Sequence, residues 1–153
     1  MTDFAAELAD RAALRDLAER YASGVDLRDA DLYISAFLPD ATLYVHDTRG
    51  EITGTRVGHE ELAKIPTLIK AYDKTFHFLG QARYEFSGDE ATGEVYCIAH
   101  HLTPDRHGGT NFVMYMRYFD TYRRDENGAW KIAERHATSD WTDVRAAIPI
   151  PRS

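Results

Sequence analysis

The sequence is poor in the features that mark secreted or membrane-bound proteins. Its single cysteine, Cys97, cannot form an internal disulfide. Residues 1–14 contain no basic head followed by an apolar run, so neither a secretion signal nor a transmembrane segment is predicted. We therefore expect a cytoplasmic protein.

Positive charge is also scarce. The chain has 18 Lys and Arg against 25 Asp and Glu, which gives a formal net charge of −7 at pH 7. Such a surface repels phosphate backbones and anionic lipid headgroups over a Debye length of about 10 Å. Nucleic acids and membranes are therefore not expected as partners.

Motifs for a metal or a nucleotide cofactor are missing from the sequence. His59 lies in the run GHEEL, but Ala63 stands where the helical zinc motif needs its second histidine. We find no Gly-rich phosphate loop, so neither a metal nor a cofactor is predicted. The 153 residues also lack repeats and linker-like stretches, which predicts a single domain over residues 1–153.

Helical spacing is clearest in the first half of the chain. Apolar residues within 14–25 recur at steps of three and four, which predicts an amphipathic first helix. A second helix is predicted after Asp29, a possible cap, and before Pro39, which would stop it. The run ATLYVHD then indicates a strand. Residues 59–65 predict a third helix, bent or broken at Pro66.

From Lys74 onward the pattern is that of β-strands. Four stretches rich in aromatic and β-branched residues are separated by turn-forming sequences. They are TFHFLGQARYEFS, EATGEVYCIAHHL, TNFVMYMRYFDTYRR and AWKIAERHATSDW. Three helices followed by an antiparallel meander predict an α+β domain in which a curved sheet wraps the helices.

This arrangement and its residues resemble a known family along nearly the whole chain. The resemblance rests on RYASGVDLRDADLYISAFLPDATLY, HFLG, GDEATGEVYCIAHH and YFDTYRRDENGAWKIAERHATSDW. They resemble the SnoaL-like branch of the nuclear transport factor 2-like superfamily. The resemblance implies a cone-shaped, cystatin-like α+β barrel with an apolar pocket, usually assembled as dimers or trimers. Because enzymes and plain binding proteins share this scaffold, the fold does not decide the function.

The resemblance also implies a catalytic pair. In scytalone dehydratase, hexachlorocyclohexane dehydrochlorinase and bile-acid 7α-dehydratase, an Asp ending the first helix and a His in this strand act together. The matching residues here are Asp26 and His77, and Tyr21 matches a tyrosine of the bile-acid enzyme. A neutral imidazole can accept a proton at physiological pH, and a carboxylate on its other nitrogen fixes the tautomer. The alternative interpretations make His77 a packed core residue and Asp26 a cap of the next helix.

Several further residues are candidates for contacting a substrate. His100 and His101 adjoin in a strand and face opposite sides, and the pattern does not decide which one is interior. Arg124 is the nearest match to an arginine that assists the departing halide in the dehydrochlorinase. The complete set of candidate substrate contacts is Tyr44, Tyr96, His101, Met114, Met116, Phe119, Arg124 and Trp141.

These features together predict a cofactor-independent lyase that acts on a hydrophobic small molecule. His77 would be the general base, Asp26 would orient it, and Tyr21 would polarise a substrate oxygen, with dehydration as the main expectation. Loss of HX, isomerisation and polyketide cyclisation would use the same proton abstraction. A non-catalytic binding protein is the rival interpretation.

The run NFVMYMRYF is apolar on both faces of its strand. This is expected where helices cover one side of a sheet and a partner subunit covers the other. We therefore expect a homodimer or homotrimer. Strand alternation also predicts that Phe76 and Phe78 point away from the cavity while His77 and Leu79 face it.

Overall fold

The computed structural model describes residues 3–105 and 108–147, with the side chains of residues 104 and 105 left aside. Helices α1 (Phe4–Asp26) and α2 (Ala30–Ile34) come first, followed by strands β1 (Phe37–His46) and β2 (Ile52–Val57). Short helices α3 (Gly58–Leu62) and α4 (Ile65–Leu68) and a 3-10 turn (Ile69–Ala71) lead to the long strands. These are β3 (Lys74–Ser87), β4 (Glu90–Asp105), β5 (Gly108–Arg124) and β6 (Trp130–Ala147).

Helix α1 forms where the apolar spacing predicts it and begins earlier. Asp3 is its N-cap, and its carboxylate accepts a hydrogen bond from the backbone N–H of Ala5 at 3.0 Å. The buried stripe of α1 consists of Leu14, Leu17, Ala18, Tyr21, Ala22, Gly24 and Val25. None of the helices among the described residues is long and apolar enough to cross a membrane.

The connection between α1 and the long strands differs in part from the prediction. Asp29 caps α2 as predicted, since its carboxylate accepts from the Leu32 N–H at 2.9 Å. The helix ends at Ile34, however, because the chain turns into β1, which contains Pro39. The third helical segment is broken as predicted, with Pro66 at the start of α4. Strand β2 was not predicted.

The six strands form one curved sheet in the order β2-β1-β6-β5-β4-β3. Strands β3 to β6 form the expected antiparallel meander. Strand β1 pairs with β6 in parallel, so the sheet is mixed. Strands β2 and β3 are its free edges, and the sheet does not close into a barrel. The predicted α+β class, with a curved sheet against N-terminal helices, is confirmed.

The two faces of the sheet have different environments. On the inner face, which packs against the helices, β4 buries Val95, Cys97, Ala99 and His101. On the outer face, Tyr96 and Ile98 of the same strand remain more than a third exposed. Phe76 and Phe78 are also on the outer face, as predicted, and His77 and Leu79 face inward. The inner face therefore carries the core and the candidate dyad.

Candidate active site

Asp26 and His77 meet on the inner face although 51 positions separate them in sequence. Asp26 is the last residue of α1, and His77 is near the start of β3. The Asp26 Oδ1 atom lies 2.7 Å from His77 Nδ1, and Oδ2 accepts from the His77 backbone N–H at 2.8 Å. The side chain of Asp26 is 22% exposed and that of His77 is 7% exposed. The carboxylate thus holds both the ring and the backbone of the histidine.

This contact determines which nitrogen of His77 is free. An ionised carboxylate can only accept, so Nδ1 carries the shared proton and Nε2 of the neutral ring is unprotonated. Burial acts to raise the pKa of Asp26, but hydrogen bonds from the side chain and backbone of His77 and from Thr75 outweigh it and lower that pKa. The carboxylate is therefore ionised, and a neutral imidazole that donates to it from Nδ1 has its lone pair on Nε2, which is the arrangement of a general base.

His101 faces the same side of the sheet as His77, which answers the question left open by the sequence. The two rings are 5.9 Å apart between centroids and nearly perpendicular. His101 Nδ1 lies 3.2 Å from the Phe112 carbonyl oxygen, so this nitrogen donates and Nε2 is a second unprotonated site. Burial lowers the pKa of His101, which keeps the ring neutral. His100 lies on the outer face and contacts Asn111.

Tyr21 is buried on the inner side, one and a half turns before Asp26. Its ring packs against Tyr33 and Tyr118, with centroids 4.9 and 5.3 Å away. Burial raises the pKa of Tyr21, so its hydroxyl stays protonated and can donate a hydrogen bond. Tyr21 therefore packs among aromatic rings of the core on the same side of the sheet as the dyad.

Sequence reasoning missed Arg135, whose guanidinium is fully buried behind Tyr21. It lies 4.3 Å from the ring centroid of Tyr21 and 4.2 Å from that of Tyr118. Its Nε and Nη2 atoms donate to the two carboxylate oxygens of Asp120 at 2.8 and 2.7 Å. The sequence carries only a weak signal for it, an Asp in β5 and an Arg in β6, because both strands contain other charged residues and only the strand register shows that these two are paired.

Of the predicted substrate contacts, the structure places three on the inner face: His101, Met114 and Met116. Met114 pairs with Ala99 and Met116 with Cys97 across β4 and β5, in the two rows beside His77 and Leu79. Met116 is buried and Met114 partly buried. The surroundings of the dyad are therefore mainly apolar.

The other five predicted contacts are corrected by the structure. Tyr44, Tyr96, Phe119 and Trp141 lie on the outer face, because their neighbours Leu43, Cys97, Tyr118 and Ser139 face the core. Arg124 lies at the end of β5, where it pairs with Asp10 at 2.9 Å and donates to the Gly128 carbonyl at 2.8 Å. The four aromatic side chains therefore do not share the inner face with the dyad, and Arg124 contacts α1 near the opposite end of that helix from Asp26.

An apolar groove of about 250 Å³ lies on the opposite side of the sheet, lined by Phe78, Tyr96, Ile98, Tyr115 and Trp141 among others. It is therefore separate from the dyad. Within residues 3–105 and 108–147, no group of three His, Cys, Asp or Glu side chains is placed to hold a metal ion.

The curved sheet, the N-terminal helices and the inward-facing acidic and imidazole groups define an α+β protein of the cystatin-like, nuclear transport factor 2-like class. One solved member, an NTF2-like protein with a cystatin-like fold from Novosphingobium aromaticivorans, is 25% identical. The match covers 91% of this chain and 89% of that one, with a TM-score of 0.66. Within this class the chain belongs to the SnoaL-like domain family, whose model matches residues 6–136. The resemblance inferred from the sequence is confirmed.

Two further solved structures are similar over nearly their full length. A hexachlorocyclohexane dehydrochlorinase (LinA, type 2) is 26% identical, with 95% of each chain covered and a TM-score of 0.80. A putative scytalone dehydratase from Novosphingobium aromaticivorans is 23% identical, with 96% of this chain and 97% of that one covered and a TM-score of 0.74. No curated protein matches the chain.

Proposed function

We propose that this protein is a cofactor-independent lyase that removes water or HX from a hydrophobic small molecule. His77 is the general base, and Asp26 orients it and stabilises the imidazolium that forms. The observation that carries this proposal is the 2.7 Å contact between Asp26 Oδ1 and His77 Nδ1, which leaves Nε2 free on the inner face. The similarity to a dehydrochlorinase at 26% identity supports the same reaction class.

The chemistry follows from the dyad. His77 Nε2 takes a proton from the carbon adjacent to the one that bears the leaving group, and the C–H electron pair becomes the new double bond between these two carbons. The leaving group departs with its own electron pair as hydroxide or halide, and the proton on Nε2 neutralises hydroxide or passes to solvent. Such base catalysis supplies about 10²- to 10⁴-fold in rate, so the substrate must bring an acidified C–H bond.

The surroundings of the dyad favour an apolar substrate with few polar groups. Met114 and Met116 offer adaptable apolar contacts beside the base. We assign two polar roles: Tyr21 donates a hydrogen bond to a substrate oxygen, and the neutral His101 accepts one from a substrate hydroxyl. Both roles agree with the pKa shifts of these groups, raised for Tyr21 and lowered for His101.

Two probes test the proposal. Hexachlorocyclohexane reports loss of HCl through chloride release, and the aldol adduct of benzaldehyde and acetone reports dehydration through the absorbance of the enone product. We expect turnover of at least one probe, and a fall in kcat/KM of about 10²- to 10⁴-fold in His77→Gln and Asp26→Asn. His100→Gln, an imidazole on the outer face, is the matched control and should retain wild-type activity.

Two outcomes contradict the proposal. Turnover in His77→Gln within twofold of wild type, a limit set at roughly 0.4 kcal/mol, would remove the base from the mechanism. Binding of both probes without turnover would favour the non-catalytic binding protein instead.

A further inference from the structure

Just after the end of helix α1, an arginine adopts a backbone conformation that is usually occupied by glycine. Arg28 has φ +59°, in the left-handed region. The Asp29 N–H donates to the Gly24 carbonyl at 2.9 Å, and the Arg28 N–H donates to the Val25 carbonyl at 3.1 Å. These two bonds are the Schellman pattern, whose left-handed position is usually Gly. Both are made by the backbone, so terminating the helix does not require an arginine side chain.

The guanidinium of Arg28 instead connects the end of α1 to the start of β3. Its Nη1 atom donates to the Val25 carbonyl at 2.9 Å and to Thr75 Oγ1 at 2.8 Å. Its Nη2 atom lies 3.3 Å from the Tyr72 carbonyl oxygen. The side chain of this left-handed residue thus spans the two elements that carry the dyad.

The hydroxyl of Thr75 connects Arg28 to Asp26 through two hydrogen bonds. Thr75 has one hydrogen to donate, and it goes to Asp26 Oδ1 at 2.9 Å. Because Arg28 occupies the acceptor side of the same hydroxyl, the hydroxyl cannot turn away without losing a charge-assisted bond. Asp26 Oδ1 therefore receives two donors, Thr75 and the His77 ring, and Oδ2 receives the His77 backbone N–H.

We infer that Arg28 and Thr75 are positioning residues for the dyad: Arg28, acting through the Thr75 hydroxyl, holds the Asp26 carboxylate in the orientation that fixes His77. This inference rests on the proposed function for its catalytic consequence, but the geometric claim stands independently of any substrate. Thr75 is 8% exposed, so water cannot easily replace the missing hydroxyl in a variant. The lowered pKa of Asp26, to which Thr75 contributes, agrees with the same assignment.

The test uses four variants of the full chain. Thr75→Val removes the hydroxyl at nearly constant volume, and Thr75→Ser restores it. Arg28→Gly removes the guanidinium while permitting the left-handed backbone, and Arg28→Gly/Thr75→Val combines both changes. Thr138→Val is the matched control, because the Thr138 hydroxyl also donates a partly buried hydrogen bond, to the Arg117 carbonyl at 2.8 Å, on another strand.

Two measurements are made on each variant. The first is the NMR signal of the His77 Nδ1 proton in protein with nitrogen-labelled histidine, which needs no substrate. We expect this signal in wild type, Thr75→Ser and Thr138→Val, and its loss through exchange with water in Thr75→Val and Arg28→Gly. The second is turnover of whichever probe the protein accepts. We expect kcat to fall roughly 10- to 100-fold in those two variants with KM little changed, as for loss of a charge-assisted hydrogen bond.

The double variant distinguishes a single chain of bonds from two separate effects. If Arg28 acts through Thr75, Arg28→Gly/Thr75→Val loses no more than the worse single variant, whereas independent effects would multiply. Multiplicative loss, or an unchanged Nδ1 proton signal in both single variants, overturns the inference. If Thr75→Val does not fold, the signal in Arg28→Gly decides.

The failure of the inference can be told from the failure of the proposed function. If His77→Gln keeps full turnover while the Nδ1 proton signal responds as expected, the positioning network stands and the lyase proposal is wrong. If His77→Gln is inactive and the signal is unchanged in Arg28→Gly and Thr75→Val, the lyase proposal stands and the network is not a positioning device.

Discussion

Arg135 and Asp120 are oppositely charged and both side chains are completely buried. Moving such charges out of water costs several kcal/mol per ion, which only close contacts can offset. Here the offset comes from two hydrogen bonds between them, from the Tyr122 hydroxyl, which donates to Asp120 at 2.7 Å, and from two aromatic rings. The guanidinium also packs against the ring of Tyr21, so the ion pair helps to hold this tyrosine of the proposed site in place.

Breaking this pair on one side should destabilise the protein strongly. We expect Asp120→Asn or Arg135→Met to lower the free energy of unfolding by about 3–5 kcal/mol, because each leaves one uncompensated buried charge. Urea denaturation followed by circular dichroism measures this loss. The pair of Arg117 and Asp140, whose side chains are 34% and 31% exposed, is the control, and Asp140→Asn should cost about 1 kcal/mol or less. Equal losses in the free energy of unfolding at the two pairs would show that burial does not determine how much the Arg135–Asp120 pair contributes to stability.

Arg135 also shows why the site could be predicted only in part. The dyad follows from family resemblance, and the inward side of β3 follows from alternation. In β6, however, two bulges break the alternation, at Ala133 and at Asp140. The first turns Arg135 inward where a regular strand would put it outside, and the second turns Trp141 outward although it has the same parity as Ser139. Neither bulge has a recognisable sequence pattern. Counting alternate residues along the strand therefore could not place Arg135 or Trp141 on the correct face of the sheet.

At the scale of elements, the first two helices cross unusually closely. A Cβ atom built on Gly24 would lie 2.7 Å from the backbone of Tyr33 in α2, closer than atoms can approach. The absence of a side chain at Gly24 therefore lets α2 pack against α1, and it fixes where the chain leaves the helix that carries Asp26. The backbone of Tyr33 is not a flexible group that could move aside.

Gly24→Ala should therefore destabilise the protein although alanine favours helix by about 1 kcal/mol over glycine. We expect a net loss of about 1–3 kcal/mol in the free energy of unfolding, as for other forced insertions into a packed core. Ser23→Ala, one position earlier and exposed, is the control and should be neutral or slightly stabilising. A stabilised Gly24→Ala protein in urea denaturation would mean that the two helices can separate at little cost.

Elements with strong local patterns were predictable and those defined by tertiary pairing were not. Helix α1 and strands β3 to β6 carry their periodicity in the sequence. Strand β2 is a six-residue edge strand with four exposed positions and no buried one, so it has little apolar pattern to detect. The parallel pairing of β1 with β6 joins segments about ninety residues apart, and residue type alone does not specify such a partner.

At the scale of the whole molecule, the outer face of the sheet carries an apolar row across four neighbouring strands. The row is formed by residues that pair side by side: Phe78, Ile98, Tyr115 and Trp141. Phe78 is 63% exposed and Trp141 is 56% exposed, and Phe76 in the adjacent row is 62% exposed. At about 4.8 Å between strands the row is roughly 14 Å wide, which is large for a monomer surface facing water.

We therefore predict that this face joins copies of the chain, as a dimer or trimer. Sedimentation velocity should show an oligomer for wild type and a monomer for Ile98→Lys and Phe78→Lys, because each places a charge within the row at a cost of several kcal/mol if buried. Phe4→Lys, at an exposed position at the start of α1, is the control and should leave the oligomer intact. A wild-type monomer at micromolar concentration would contradict the prediction.

Since the dyad faces the other side of the sheet, a stable monomeric variant should keep the His77 Nδ1 proton signal. Loss of that signal on dissociation would mean that the interface supports the dyad through the sheet.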